Sequence, residues 1–86
     1  MVKEIAVIDI IPRILSFDVI AKELFNEINK ISDNEIIIDF KGIEHMCVSF
    51  AQEYGRQKRI SNKKISEKNL SNEYAKLMTL AKNLYV

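Results

Sequence analysis

Tryptophan is absent from these 86 residues, and cysteine, proline and histidine occur once each. A single cysteine excludes an internal disulfide, and this usage fits a reducing cytosol. His45 and Cys47, with Glu44 beside them, fall short of the ligand set that a closed structural zinc site needs. Only two glycines are present, Gly42 and Gly55, and neither lies in a Walker or dinucleotide pattern, so a glycine-rich phosphate loop is missing. Net charge is nearly absent: 13 Lys and Arg against 12 Asp and Glu leave +1. Nothing global therefore advertises a nucleic-acid or acidic-membrane partner. Unbroken apolar runs reach only a few residues, far short of the ~20 that span a bilayer. The opening Met1-Val2-Lys3-Glu4 places an acid where a secretory signal would carry its basic region. The expectation is a cytoplasmic protein that works without a cofactor and away from membranes.

What is present is an ordinary globular balance, 48% apolar and 29% charged, too hydrophobic for a disordered chain. The length suits one domain spanning residues 1–86. A chain this short buries only about 60–65% of its unfolded surface. Its core is expected to be thin, and a homo-oligomer that covers a leftover apolar face follows as a second expectation.

Periodicity supplies the elements. Ile5, Val7 and Asp9 alternate with Ala6, Ile8 and Ile10, which predicts a strand over Val2 to Ile10 with a well-buried face, ended by Pro12. Ser16 reads as an N-cap with Asp18 at the positive end of the helix dipole. Phe17, Ile20, Ala21, Leu24, Ile28 and Ile31 then recur at helical spacing to about Lys30. Ser32-Asp33-Asn34 is turn chemistry. Glu35 to Phe40 is a β-branched run that predicts a central parallel strand covered on both faces. Gly42 marks a turn, and Met46 and Cys47 anchor the loop that follows. Ser49 and Gln52 match a capping box at the start of a second helix, which carries Phe50, Ala51 and Tyr54 inward and frays near Ser61. Lys63 to Lys68 is a polar edge strand anchored by Ile65. Ser71 caps a last helix marked by Tyr74, Leu77, Met78, Ala81, Leu84 and Tyr85. The order β-α-β-α-(β)-α predicts an α/β sheet with helix layers.

Chemistry-bearing constellations are sparse. Cys47 precedes a helix start, but a thiolate enzyme also needs a base, and His45 has no acid placed to orient it. Asp39 ends a strand, where a lone carboxylate more often binds the N–H groups of the next loop. The segment from Arg56 to Lys64 carries Arg56, Lys58, Arg59, Lys63 and Lys64 and no acid, so it is a phosphate-contacting surface in a rival, nucleic-acid reading and a solvated helix end in the blander one. Ser49 serves either as a cap or, because phosphate suits a helix N-terminus, as a phosphate acceptor.

Asp39-Phe40, then Gly42-Ile43, then Ser49-Phe50-Ala51 and Glu53 resemble the hallmark of the STAS-like domains of unknown function: a strand ending Asp-Phe-x-Gly-Ile/Val and a helix starting Ser-Phe-Ala-x-Glu. The resemblance extends distantly to the bacterial anti-sigma-factor antagonists. It implies a STAS-like sheet and a non-enzymatic regulatory module. It also implies that the Gly42–Tyr54 region docks a protein partner, for which a histidine-kinase-type ATPase is the natural choice. On this reading the docking or phospho-acceptor region comprises Asp39, Gly42, His45, Cys47, Val48, Ser49, Phe50, Glu53 and Tyr54. In the antagonists the acceptor serine directly follows an Asp; here Val48 occupies that place and Ser49 stands one residue later.

Overall fold

The computed structural model describes residues 1–83, and the sequence-predicted helix positions Leu84 and Tyr85 lie outside that range. The chain is α/β. Its elements are β1 (Val2–Ala6), β2 (Ile14–Leu15), α1 (Asp18–Lys30), β3 (Glu35–Asp39), β4 (His45–Met46), α2 (Val48–Ile60), β5 (Lys64–Lys68) and α3 (Asn72–Asn83). β1, β3 and β5 form an all-parallel sheet in that order, with Glu35 beside Val2 and Lys64, and Asp39 beside Ala6 and Lys68. The sequence-predicted neighbours, the first strand and the 35–40 strand, are indeed adjacent and parallel.

Burial alternates along β3: Ile36 and Ile38 are fully buried, while Glu35, Ile37 and Asp39 are not. Side chains on a strand point to opposite faces in turn, so one face of the sheet carries the helices and the other is open. The expectation of a strand covered on both faces is thereby corrected. The open face is polar around Ile37, where Lys68 Nζ reaches Glu4 Oε2 at 3.2 Å from the opposite edge strand, on the far side of β3. β1 is an edge strand whose first three residues are exposed, not a strand with a well-buried face. It also stops at Ala6, and Val7–Asp9 turns into a 3-10 helix. Pairing explains the early end: β3 offers five partners, the last being Asp39 opposite Ala6, and beyond them a strand has nothing to bond.

Under the covered face lies one core. Val7, Leu15, Leu24, Phe25, Ile28, Ile36, Ile38 and Phe50 are its largest fully buried side chains. α1 packs on α2, and α2 on α3. Tyr54 sits at the centre with its ring edge-on to Phe25 (5.4 Å) and Phe40 (5.8 Å) and stacked near Phe50 (6.0 Å). The α1 stripe begins later than its spacing suggested: Phe17 is exposed, and Phe25 fills the core. Ile65 anchors β5 as expected, and Ser71 caps α3 by accepting from Tyr74 N at 3.2 Å.

Candidate functional site

The two leading helix starts are brought together by a feature too short to leave a periodic trace. β2 and β4 pair in parallel, with Leu15 beside Met46 and Ile14 beside His45. Leu15 and Met46 point into the core; Ile14 and His45 point out. The ladder continues one step, as Cys47 N donates to Leu15 O at 2.9 Å. Each chain then enters its helix, at Asp18 and at Val48, so the N-termini of α1 and α2 emerge side by side.

This ladder overrides the sequence-predicted serine caps of these two helices, Ser16 and Ser49. The residues at the N-cap positions are Phe17 and Cys47, and neither makes a side-chain cap bond. Ser49 lies inside the first turn of α2. Its hydroxyl is 3.1 Å from Cys47 Sγ and donates to Ser16 O at 3.4 Å, and the Cys47 thiol donates to the same carbonyl. Ser16 therefore contributes its backbone oxygen, and the three residues tie the two helix starts together. Ser49 itself remains exposed.

Around this junction lie Ile14, Phe17, Val19 and Val48, four of the eight large apolar side chains most exposed in the described structure. Phe17 is 64% and Val48 43% accessible. Scattered exposed apolar residues are ordinary, but a cluster at one corner is the usual mark of an interaction surface. Sequence reasoning missed Phe17, which obeyed the helical spacing, as well as Ile14 and Val19.

The other residues of the sequence-predicted docking region separate into two groups. Phe50, Glu53 and Tyr54 are buried in the body of the fold. Glu53 is bound by Arg56 (Nε to Oε1 3.1 Å, Nη2 to Oε2 2.8 Å) and by Gln57 Nε2 at 2.7 Å. Asp39 and Gly42 shape the loops at the ends of β3 and β5. Asp39 Oδ1 accepts from Asn69 Nδ2 (2.8 Å) and from Lys41 N (2.9 Å), and these bonds hold its carboxyl below the usual range. Gly42 turns the chain at φ +90°, with the side chain of Ile8 3.2 Å from where a Cβ would stand.

The basic run does not converge into one surface. Arg56 binds buried Glu53, Lys58 binds Glu67 (2.9 Å), and Lys63 Nζ donates to the carbonyls of Ile31 and Asp33 at the end of α1. Arg59 is engaged within the fold as well. Lys64 is exposed and, from its register with Glu35, faces the open side of the sheet. No three His, Cys, Asp or Glu side chains among the described residues group as a metal site, and no described helix is long and apolar enough to cross a membrane.

The Glu53 contacts give a pH dependence. Arg56 first, and Gln57 second, hold the Glu53 carboxyl below its ordinary value of 4.5 against the opposing effect of burial. A depressed acid contributes stability that is complete above its unfolded pKa and is lost as pH falls through the folded one. Melting temperature is therefore expected to hold steady above about pH 4.5 and to fall below it. Glu53→Gln should start lower at neutral pH and decline less steeply in acid, as followed by circular dichroism melts. An equal acid slope in the variant would assign that slope to other carboxyls.

Comparison of this chain with protein families, with characterised proteins and with solved structures finds no match.

Proposed function

We propose that this chain is a STAS-like, non-enzymatic regulatory module that docks a protein partner at the corner where α1 and α2 begin. The observation that supports the reading is the set of exposed apolar side chains Ile14, Phe17, Val19 and Val48 beside a hydrogen-bonded pair of helix starts. Few exposed side chains and a pre-organised backbone suit a compact hot spot, since little freedom is lost on binding. The Asp-Phe-x-Gly-Ile and Ser-Phe-Ala-x-Glu resemblance points to the same helix start and to a histidine-kinase-type ATPase as partner.

The test is the affinity of such an ATPase domain from the same host, measured by titration calorimetry. Phe17→Ser combined with Val48→Ser should weaken it at least tenfold, the equivalent of ~1.4 kcal/mol. The melting temperature should stay close to wild type, because both side chains are exposed. Undiminished affinity in the folded double variant would remove the corner as the docking site. Ser49→Asp adds the regulatory arm: acid in the first turn suits the helix dipole, so the fold should hold while charge at the interface lowers affinity. Equal affinity for Ser49→Asp would leave Ser49 as a structural tie alone.

A further inference from the structure

α3 is held to the fold less tightly than the other two helices. α1 buries Ala21, Leu24, Phe25 and Ile28, and α2 buries Phe50, Ala51, Glu53 and Tyr54. Over residues 72–81 of α3 only Ala81 is buried, and its side chain is small. Tyr74, Leu77 and Met78 pack against the core but stay partly accessible, and Leu80 is 62% accessible. A half-covered side chain gains less than a buried one, because the hydrophobic contribution follows the area removed from water.

Open space runs along two flanks of α3. One hollow, of roughly 530 Å³, is lined by Ala75, Met78 and Thr79 of α3, by Ala51 and Gly55 of α2 and by Leu70. Gly55 widens it: no atom lies within 4 Å of where its Cβ would stand. The other hollow, of roughly 570 Å³, is lined by Tyr74, Leu77 and Leu80 of α3 and by His45 and Met46 of β4. Atoms that face a gap lose the dispersion contacts that a packed neighbour would supply.

The remainder of the fold is joined without passing through α3. All three strands of the sheet and both crossover helices precede it in the chain. α1 packs on α2 directly. α2 and β5 are linked by Tyr54 Oη, which donates to Glu67 Oε2 at 2.6 Å, and by Lys58 Nζ, which donates to the same oxygen at 2.9 Å. α3 closes its own first turn: Ser71 Oγ accepts from Tyr74 N at 3.2 Å, and Ser71 O accepts from Ala75 N at 2.8 Å. Thr79 Oγ1 likewise donates to Ala75 O at 3.1 Å, within the helix.

We propose that α3 is a detachable cover: it opens as one unit and uncovers the α2 face that carries Ala51 and Gly55, together with Leu70, while the sheet, α1 and α2 stay folded. Units of this kind open with less free energy than global unfolding requires. The experiment is native-state amide hydrogen exchange of the full chain, read by NMR over a series of low urea concentrations. The amides of Leu77, Met78 and Ala81 should exchange at least about tenfold faster than the slowest amides of α1 and β3, a gap of ~1.4 kcal/mol. Their opening free energies should fall with urea along one shared slope, shallower than the global one, since the slope scales with the surface exposed. Ile28→Val supplies a second arm, because Ile28 is fully buried in α1. The lost methyl group should speed exchange of the slowest α1 and β3 amides about two- to tenfold and leave the α3 amides unchanged, as an opening of α3 alone keeps Ile28 in place. The proposal is overturned if the α3 amides share the free energy and slope of β3, or if Ile28→Val speeds both sets equally. It is overturned as well if the α3 amides show no urea dependence, which marks residue-by-residue fraying. The urea series on the wild type decides the first and last of these even where the variant fails to fold.

Discussion

Replacing Ile38 with alanine is expected to destabilise the domain by about 2–5 kcal/mol, the transfer and cavity terms of a large-to-small core change. Ile38 is fully buried on the helix-covered face of the central strand. A chain of this size has only roughly 4–13 kcal/mol of total stability, so the variant should be marginal or unfolded at physiological temperature. Ile37→Ala is the control one residue away. Its side chain lies on the open face, so the loss should be roughly 1 kcal/mol or less, mainly β-propensity. Urea unfolding of the two variants tests the one-faced sheet. Comparable losses at both positions would mean that Ile37 is as buried as Ile38.

Tyr54 carries the second large effect. Tyr54→Ala removes a buried ring shared by Phe25, Phe40 and Phe50 and is expected to cost about 3–5 kcal/mol. Tyr54→Phe keeps the ring and removes only the hydroxyl that donates to Glu67 at 2.6 Å. Hydrogen bonds to charged groups contribute about 1.5–3 kcal/mol. The lower end applies here, because Lys58 still partners the carboxylate. The same hydroxyl sets an alkaline limit. Burial first, and then the Glu67 charge, raise the phenol well above its ordinary value of 10.0. Tyr54 must therefore stay protonated in the folded state, and stability is lost as pH rises past about 10. Stability curves from neutral to strongly alkaline pH should show a shallower decline in Tyr54→Phe than in wild type. Parallel curves would assign the alkaline loss to other groups.

Much of this fold was legible because local signals agreed with the final packing. Ile36 and Ile38, the Phe50–Ala51–Tyr54 stripe, Ile65 and the Ser71 cap all occupy the roles that their spacing assigns. The misreadings arose where a distant segment decides. Nothing local tells Val7 that its partner strand has ended, so alternation continued into what is a 3-10 turn. Ser16 and Ser49 carry good capping chemistry, but the Leu15–Cys47 ladder moves the helix boundaries past them. Phe17 obeyed the apolar periodicity of α1 and yet faces solvent, because its position is fixed by that ladder before the helix begins. Of the candidate corner, Val48 and Ser49 were therefore visible in the sequence, whereas Ile14, Phe17 and Val19 needed the junction to be seen. The basic run was plain as composition, but which of its cations meet Glu53, Glu67 or the end of α1 depends on tertiary placement.

The strand order β1-β3-β5 has one further consequence. Each successive crossover steps the same way across the sheet, and crossovers of one hand that keep stepping one way lay their helices on one side. Doubly wound sheets differ: their order reverses partway, and the two halves diverge to open a crevice at the strand carboxyl ends, where nucleotides and substrates commonly sit. A progression without reversal opens no such crevice. In this chain Asp39 ties the Lys41 and Asn69 loops together at the carboxyl end of β3, beside a hollow lined by Phe40, Gly42, Ser71 and Tyr74. Because α1 and α2 each carry the chain from the carboxyl end of one strand back to the amino end of the next parallel one, their joined starts lie toward this same end of the sheet.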